Sequence, residues 1–239
     1  MDVKHFITDF REGFGEKAEL PLAFWYSEEP AAEPFRCERC FIGSLKTARQ
    51  GTSISMQANH LLCGGGKLYC GFVEPRPTLP DFVSDKERYK KSEALVSDYM
   101  KPFRGAEKAG QWINFARVDA IGSFDGKEGI IFFATPDILS GLVTWCLYDT
   151  NAPDAVSVPF GSGCSVLTAQ VMYENKTGGK RTFLGMFDPS ARPGVEENIL
   201  TYSIPIGRFR EMCVTLKDSC VGHGTKDWLK IKERINHGG

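Results

Sequence analysis

The sequence has little net charge and lacks the common signatures of nucleotide-binding and metallohydrolase sites. With 29 basic and 30 acidic residues, its formal net charge is −1 and its pI is about 6.4. That balance provides no overall basic field to hold nucleic acid, so we expect no nucleic-acid partner. The chain contains no G-x-x-x-x-G-K-[ST] loop, no H-E-x-x-H helix and no G-x-G-x-x-G turn after a predicted strand.

Long apolar segments are also scarce. The stretch Gly129–Tyr148 runs for 20 residues with a single charge, but Pro136 and Asp137 interrupt it. This break predicts a buried strand, a turn and a helix rather than a membrane span. The first residues lack the basic start and apolar run of a signal peptide. We therefore expect a cytoplasmic protein without a membrane partner.

Cysteine, in contrast, is abundant, with eight residues in the chain. Disulfides are not the default expectation in a reducing compartment. Cys146 and Cys213 lie in apolar patterns that predict core packing.

Cys37 and Cys40 form a C-x-x-C pair, the spacing of redox pairs and of half a zinc or iron–sulfur site. Adding Cys63 and Cys70 would complete a four-cysteine metal site, although their spacing matches no established cluster signature.

Two cysteines lie in glycine frames. Cys63 precedes three glycines, and Cys164 follows Gly161-Ser162-Gly163 before a predicted helix. Glycine lets backbone amides approach a ligand closely, and amides at a helix start favour a thiolate. Each frame fits a nucleophilic thiolate, a metal ligand or an anion cradle. Each fits a tight turn around a buried cysteine equally well.

The predicted site combines both frames with Arg192. This arginine lies in a constrained turn and offers a cation to an anionic ligand, although an internal pair with Asp188 suits the turn better. The predicted ligand-binding residues are Cys63, Gly64, Gly65, Gly161, Gly163, Cys164, Ser165 and Arg192. The predicted metal ligands are Cys40, Cys63 and Cys164, with His60 as a weaker addition. Iron–sulfur, zinc and corrinoid cofactors all stay open.

Strands and helices alternate along the chain with short connections. The predicted strands are Leu20–Tyr26, Thr52–Gln57, Trp112–Ile121, Ile130–Ala134, Val156–Pro159, Thr182–Phe187 and Ile199–Ile204. The predicted helices include Cys37–Arg49, Lys86–Met100, Asp137–Tyr148, Ser165–Tyr173 and Ile206–Lys217. This order predicts an α+β fold with a mixed sheet and flanking helices, with a doubly wound sheet as the alternative.

The same elements indicate a weak duplication within one domain spanning residues 1–239. Its halves are residues 16–105 and 110–217. In each half a strand, a proline, a helix and a second strand precede the glycine-framed cysteine. A true repeat would place Cys63 and Cys164 near one pseudo-axis, facing a shared cleft.

Six short segments together resemble the uncharacterised ArCR family, a bacterial and archaeal domain of unknown function. They are Cys40–Gly43, Cys63–Lys67, Phe124–Gly126, Phe133–Asp137, Phe160–Cys164 and Phe187–Ser190. The resemblance covers nearly the whole chain and implies a single unit, but it implies no activity. It also implies that Cys40, Cys63 and Cys164 occupy positions typical of the family, whereas Cys37 and Cys70 do not.

Three functions remain open from the sequence. The first is binding of a small ligand, cofactor or metal in a cleft lined by Cys63 and Cys164, with Cys40 as an additional member. The second is a thiol-dependent enzyme with Cys164 as nucleophile. The third is a non-catalytic interaction module whose cysteines only pack. The sequence does not predict an oligomeric state.

Overall fold

The computed structural model describes residues 2–101, 110–160 and 163–237, and within them one mixed sheet carries helices on both faces. The strands are β1 Leu22–Ser27, β2 Ile54–Met56, β3 Trp112–Arg117, β4 Gly129–Ala134, β5 Val156–Ser157, β6 Thr182–Gly185 and β7 Leu200–Pro205. The helices are α1 Val3–Phe14, α2 Phe41–Arg49, α3 Gly64–Tyr69, α4 Leu79–Asp81, α5 Glu93–Met100, α6 Pro136–Cys146, α7 Gly163–Leu167, α8 Ala169–Thr177, α9 Ile206–Thr215, α10 Cys220–His223 and α11 Lys226–His237.

The strand order among the described residues is β2-β3-β1-β4-β7-β6-β5. Every neighbouring pair is antiparallel except β5 and β6, which are parallel. The mixed sheet confirms the predicted α+β class. It also excludes the doubly wound alternative, because that fold requires a mostly parallel sheet.

Side chains that alternate along the strands build a separate core on each face of the sheet. The cysteine-side core lies under α2, α3, α7 and α8 and includes Leu22, Phe24, Phe41, Leu45, Phe115, Phe133, Val171 and Phe183. The tryptophan-side core lies under α1, α6, α9 and α11 and includes Phe6, Phe10, Phe14, Phe132, Trp145, Tyr202, Phe209 and Trp228.

The two cores divide the cysteines unequally. Five belong to the cysteine-side core or pack against it, namely Cys37, Cys40, Cys63, Cys70 and Cys164. Cys146, Cys213 and Cys220 lie on the opposite side. The predicted packing role of Cys146 and Cys213 is confirmed, since both are buried.

The predicted duplication stays a prediction. The central strands pair in an equivalent way, with β1 and β4 side by side and β3 and β7 outside them. However, α2 packs on the cysteine-side core and α6 on the opposite core. A two-fold axis relating antiparallel neighbours would place both helices on one face, so α2 and α6 are not equivalent.

The apolar stretch Gly129–Tyr148 folds as predicted. It forms the buried strand β4 and then α6, which begins at Pro136. Within the described part of the chain, no helix has the length and apolar character that crossing a membrane requires.

Three predicted helices differ from the structure. The helix predicted over Lys86–Met100 begins only at Glu93, after the N-cap Ser92. Tertiary contacts interrupt the other two. The helix predicted to begin at Cys37 begins at Phe41, since the Cys37 amide donates to the His60 carbonyl at 2.9 Å. The helix predicted over Ser165–Tyr173 is two helices, α7 and α8, with a break at Thr168. The hydroxyl of Thr168 donates to the carbonyls of Tyr69 at 2.8 Å and Cys164 at 3.1 Å.

Candidate functional site

Three helices of the cysteine-side core each carry a cysteine at their beginning. Cys40 is the N-cap of α2, Cys63 is the N-cap of α3, and Cys164 is the second residue of α7. These helices pack against one another on the same face of the sheet. The fold thereby brings together the three cysteines that the sequence singled out.

Packing of Phe41 fixes the start of α2. Its ring lies edge-on to Phe115 of β3, with centroids 5.5 Å apart. The side chain is fully buried, so its own amide has a defined position. That amide is one of the backbone groups that lower the pKa of Cys63.

The sulfur of Cys63 accepts a hydrogen bond from the amide of Gly66, whose nitrogen is 3.2 Å from Sγ. The thiol of Cys164 has the largest effect on the ionisation of Cys63. Together with the backbone amides of Phe41, Gly66 and Cys63 itself, it lowers the pKa of Cys63 to about 6, against the opposing effect of burial. These surroundings favour the thiolate form of Cys63 at neutral pH.

Cys164 has the opposite character. Its hydrogen bond to Cys63 and its burial raise the pKa of the Cys164 thiol well above the ordinary value. A thiol that donates to a neighbouring thiolate keeps its own proton. The structure thus favours Cys63 as the ionised sulfur, whereas the sequence favoured Cys164.

Exposure separates the two sulfurs as well. Cys164 is 4% exposed, whereas Cys63 is only partly buried. Beside Cys63, Gly64 is exposed, and a Cβ added there would meet no atom within 4 Å. A small molecule can therefore approach the pair from the side of Gly64 and Cys63.

The glycine frames serve close packing rather than unusual dihedrals. Gly64, Gly65 and Gly66 form the first turn of α3, where the sequence predicted a loop, and none of them has a positive φ. A Cβ on Gly66 would lie 2.8 Å from Cys63 Sγ and 2.9 Å from Phe41 Cβ. A Cβ on Gly163 would lie 2.6 Å from Ile42 Cδ1. Gly161, another predicted ligand-binding residue, lies outside the described residues.

Ser165 is buried, but its side chain faces α5. Its hydroxyl is 2.7 Å from that of Tyr99, which also accepts a hydrogen bond from Gln170 Nε2 at 3.2 Å. Burial raises the pKa of Tyr99. This neutral network fastens α5 over α7, and the structure shows no bond from Ser165 to the cysteine pair.

Arg192 is engaged by its own loop. Its guanidinium donates to the carbonyls of Ile199 and Glu197, each at 2.5 Å. The Asp188 carboxylate accepts from the amide and hydroxyl of Ser190 at 2.9 and 2.8 Å rather than from the Arg192 guanidinium as predicted, and the Arg192 amide donates to the Asp188 carbonyl at 3.1 Å. The loop packs near α2, but Arg192 holds its shape rather than pointing a free cation into the site.

Comparison with known proteins agrees with this arrangement of motifs. The sequence profile described as "Uncharacterised ArCR" matches residues 14–214. The chain belongs to the uncharacterised ArCR family. No curated protein and no solved structure matches it. The match includes Cys40, Cys63 and Cys164.

The described part of this ArCR-family chain gives no support to the predicted metal sites. Among residues 2–101, 110–160 and 163–237, no three histidine, cysteine or acidic side chains have an arrangement that could hold a metal ion. This applies to Cys40, Cys63 and Cys164 and to the four-cysteine proposal. The Nδ1 atom of His60 accepts from the Gln57 amide at 3.2 Å, and its ring lies 5.3 Å from Trp112.

The other two cysteines of this side are structural. Cys37 and Cys70 are fully buried, and burial raises the pKa of Cys70 strongly. The Tyr26 hydroxyl donates to the Cys70 carbonyl at 2.9 Å, which ties the end of α3 to β1. The C-x-x-C motif of this family member therefore splits into a core residue and a helix cap.

Sequence reasoning missed Met186. This buried residue has a φ of 72°, which is uncommon for a side chain other than glycine and occurs often near functional sites. Its Sδ lies 3.0 Å from the place that a Cβ on Gly163 would occupy. No local pattern in the ArCR-family sequence reveals it.

An aromatic group beside the site was also missed. The ring of Phe160 lies 5.2 Å from Tyr99 and 6.4 Å from Tyr89, with Lys90 Nζ 4.6 Å above it. These contacts connect the segment before α7 to residues 89–100. These residues belong to segments that are distant along the chain, so no sequence motif predicts the group.

A separate surface cavity of about 630 Å³ lies at another place in the ArCR-family fold, among residues of α8, α9 and the loops 149–155 and 179–181. Its charged groups pair with one another. Arg208 binds Asp149 at 2.5 Å and Glu211 at 3.1 Å, and Arg181 binds Glu174 at 2.6 Å. The cavity does not include the cysteines.

Proposed function

We propose that this protein is a thiol-dependent enzyme in which Cys63 is the nucleophile and Cys164 is its buried hydrogen-bond donor. The observation that carries the proposal is the opposite character of the two neighbouring thiols, because Cys63 is partly exposed and has a lowered pKa, whereas Cys164 is buried and has a raised pKa. The sequence predicted Cys164 as the nucleophile. We assign Cys63 to that role instead, because Cys164 donates its proton toward Cys63.

The surroundings of Cys63 suit attack on an electrophile. The thiolate is the reactive form of cysteine, and fixed N–H and S–H donors keep Cys63 in that form at neutral pH. Because these donors come from α2, α3 and α7, the geometry is held by three packed helices rather than by one mobile loop. The open side at Gly64 supplies the approach.

A ligand held without a covalent bond at the same place is the second candidate. The exposed first turn of α3 beside Cys63 favours it, since open space there could hold a small molecule. Such a ligand would shield Cys63 from alkylation without being consumed.

All eight cysteines are free, which fits a reducing compartment such as the cytoplasm.

Alkylation measured against pH tests the proposal. With iodoacetamide and peptide mass spectrometry, we expect the labelling of Cys63 to have a midpoint near pH 6. Cys220 is also partly buried, and burial raises its pKa, so it is the matched internal control. At pH 5.5, Cys63 should react roughly 10-fold faster than a thiol of pKa ~8.5, after allowance for the lower nucleophilicity of an acidic thiolate.

Replacement of the donor gives the complementary result. In Cys164→Ala the main hydrogen bond to Cys63 is lost, so the midpoint of Cys63 labelling should move upward. In Cys146→Ala, which alters a buried cysteine on the opposite side of the sheet, the midpoint should not move. If Cys63 of the unaltered protein labelled with a midpoint at about pH 8.5, the proposal would be contradicted.

A further inference from the structure

We infer that Cys63 and Cys164 form a redox-active dithiol that exchanges with small disulfides. The inference rests on the proposed function and adds a substrate class and a partner for the nucleophile. Cys63 and Cys164 lie at the starts of α3 and α7, which pack against each other at the cysteine-side core. Of the eight cysteines, all of which the structure describes, Cys164 is the one with the largest effect on the ionisation of Cys63.

The exposure of the two sulfurs assigns their order in the reaction. A disulfide in solution can reach Cys63, which is partly exposed, but cannot reach Cys164, which is 4% exposed. Cys63 therefore attacks first and Cys164 resolves. Burial protects the resolving thiol from the outside disulfide, so a second mixed disulfide at Cys164 does not compete.

The exchange balances without a further reagent. The Cys63 thiolate attacks one sulfur of R–S–S–R, forms the mixed disulfide Cys63–S–S–R and releases RS⁻. Cys164 then loses its proton to a departing thiolate and attacks the Cys63 sulfur. The products are the Cys63–Cys164 disulfide, RSH and RS⁻. The two protein thiols lose two electrons, and the small disulfide gains them.

Other cysteines of the same core are poorer resolving groups. Cys70 is fully buried, and burial raises the pKa of its thiol strongly. Cys37 is fully buried, with its backbone bridged to Leu61. Cys40 is partly buried and packs by its sulfur near Gly194, on the side of the 192–194 turn. Cys40 is therefore the relevant control in the experiment.

Incubation of the full chain with glutathione disulfide tests the inference. After acid quenching and alkylation, peptide mapping without reduction should show one internal disulfide that joins Cys63 to Cys164. In Cys164→Ala, the glutathione adduct on Cys63 should persist, because nothing resolves it. In Cys63→Ser, neither species should form, and Cys40→Ser should behave like the unaltered chain. Circular dichroism of each variant establishes that it is folded.

The outcomes separate this inference from the proposed function. If Cys63 labels with a midpoint near pH 6 but its glutathione adduct persists in the unaltered protein, the nucleophile stands and the dithiol pair is refuted. If a Cys40–Cys63 disulfide forms instead, the resolving residue is wrong. If Cys63 neither labels as an acidic thiol nor exchanges, both proposals fail.

Discussion

Gly66 and Gly163 shape the cysteine pair through the side chains they lack. Each lies where a Cβ would overlap a neighbour, with Cys63 Sγ and Phe41 Cβ around Gly66 and Ile42 Cδ1 beside Gly163. Only glycine lets α2, α3 and α7 approach closely enough for the donors to reach Cys63. The helical φ values show that the requirement is space and not backbone conformation.

Gly66→Ala should therefore disturb the site. The new methyl group must displace either Cys63 Sγ or the buried Phe41, which we expect to cost about 1–3 kcal/mol of unfolding free energy. Displacement of the sulfur from its amide donors should also move the midpoint of Cys63 labelling upward. Urea denaturation and alkylation against pH measure the two effects.

Gly64→Ala is the matched control within the same helical turn. A methyl group there meets no atom within 4 Å, so the unfolding free energy should stay the same or rise by up to about 1 kcal/mol, and the Cys63 midpoint should stay unchanged. If Gly66→Ala and Gly64→Ala lost the same unfolding free energy, any substitution in this turn would disrupt α3. The close-packing explanation would then be wrong.

At the residue scale, the sequence predicted the pair but not its chemistry. Cys63 and Cys164 stand out locally because each lies among glycines. Which of them ionises depends on the Phe41 amide and the mutual sulfur contact, and those groups come together only after folding. Arg192 was misjudged for the same reason, since the carbonyls that engage it belong to the fold of its loop.

At the scale of elements, the tryptophan-side core depends on close contact between helices. Gly141 of α6 faces α11, where a Cβ would lie 2.2 Å from Trp228 Cη2 and 2.7 Å from Phe14 Cε1. The Trp228 indole donates to the Gly13 carbonyl at 2.9 Å, which joins α11 to α1. A glycine in the middle of α6 thus permits three helices to meet.

Gly141→Ala should destabilise the protein despite the better helix propensity of alanine. Alanine favours a helix by up to about 1 kcal/mol over glycine, but the overlap with Trp228 and Phe14 should outweigh that gain. We expect a net loss of about 1–3 kcal/mol in urea denaturation.

The control for this prediction is Gly207→Ala in α9, where an added Cβ meets nothing within 4 Å. Its unfolding free energy should stay the same or rise by up to about 1 kcal/mol. A stabilised Gly141→Ala would show that α6 and α11 can separate slightly at little cost.

Most elements could be predicted from hydrophobic periodicity, whereas several of their ends could not. The strands and α1, α6, α9 and α11 follow apolar patterns that operate over a few residues. The start of α2 and the break between α7 and α8 depend on hydrogen bonds to the distant residues His60 and Tyr69. Local propensity contains no information about those partners.

At the scale of the whole molecule, ion pairs tie the periphery of the sheet and helices together. Arg208 binds Asp149, Arg117 binds Asp119 at 2.7 Å, and Arg49 binds Glu196 at 2.8 Å. The hydrogen bonds from these arginines lower the pKa of each of the three carboxyl groups.

This pattern predicts a loss of stability in acid. A carboxyl group with a lowered pKa in the folded state contributes stability above its unfolded value, about 3.9 for Asp and 4.3 for Glu, and loses that contribution as pH falls further. The carboxylates are partly exposed, so each pair should contribute about 0.2–1 kcal/mol. Urea denaturation between pH 6 and pH 3 should show stability falling below about pH 4.5.

Asp149→Asn supplies the comparison, because it keeps the side-chain shape and removes the titrating group. The variant should be less stable at pH 6 and should lose less stability between pH 5 and pH 3. An unchanged acid dependence would show that the Arg208–Asp149 pair does not contribute to it.

The sequence by itself determined the α+β class, the strand order along the chain and the choice of the two glycine-framed cysteines as candidates, because periodicity and glycine-framed motifs are local. Only the tertiary structure decided that α2, α3 and α7 meet, that the pKa of Cys63 is lowered while that of Cys164 is raised, and that the C-x-x-C motif is split between core and cap. The physical reason is that a thiol ionises according to the hydrogen-bond donors and burial around it. For Cys63 those donors come from Phe41, Gly66 and Cys164, and two of the three lie far away along the chain.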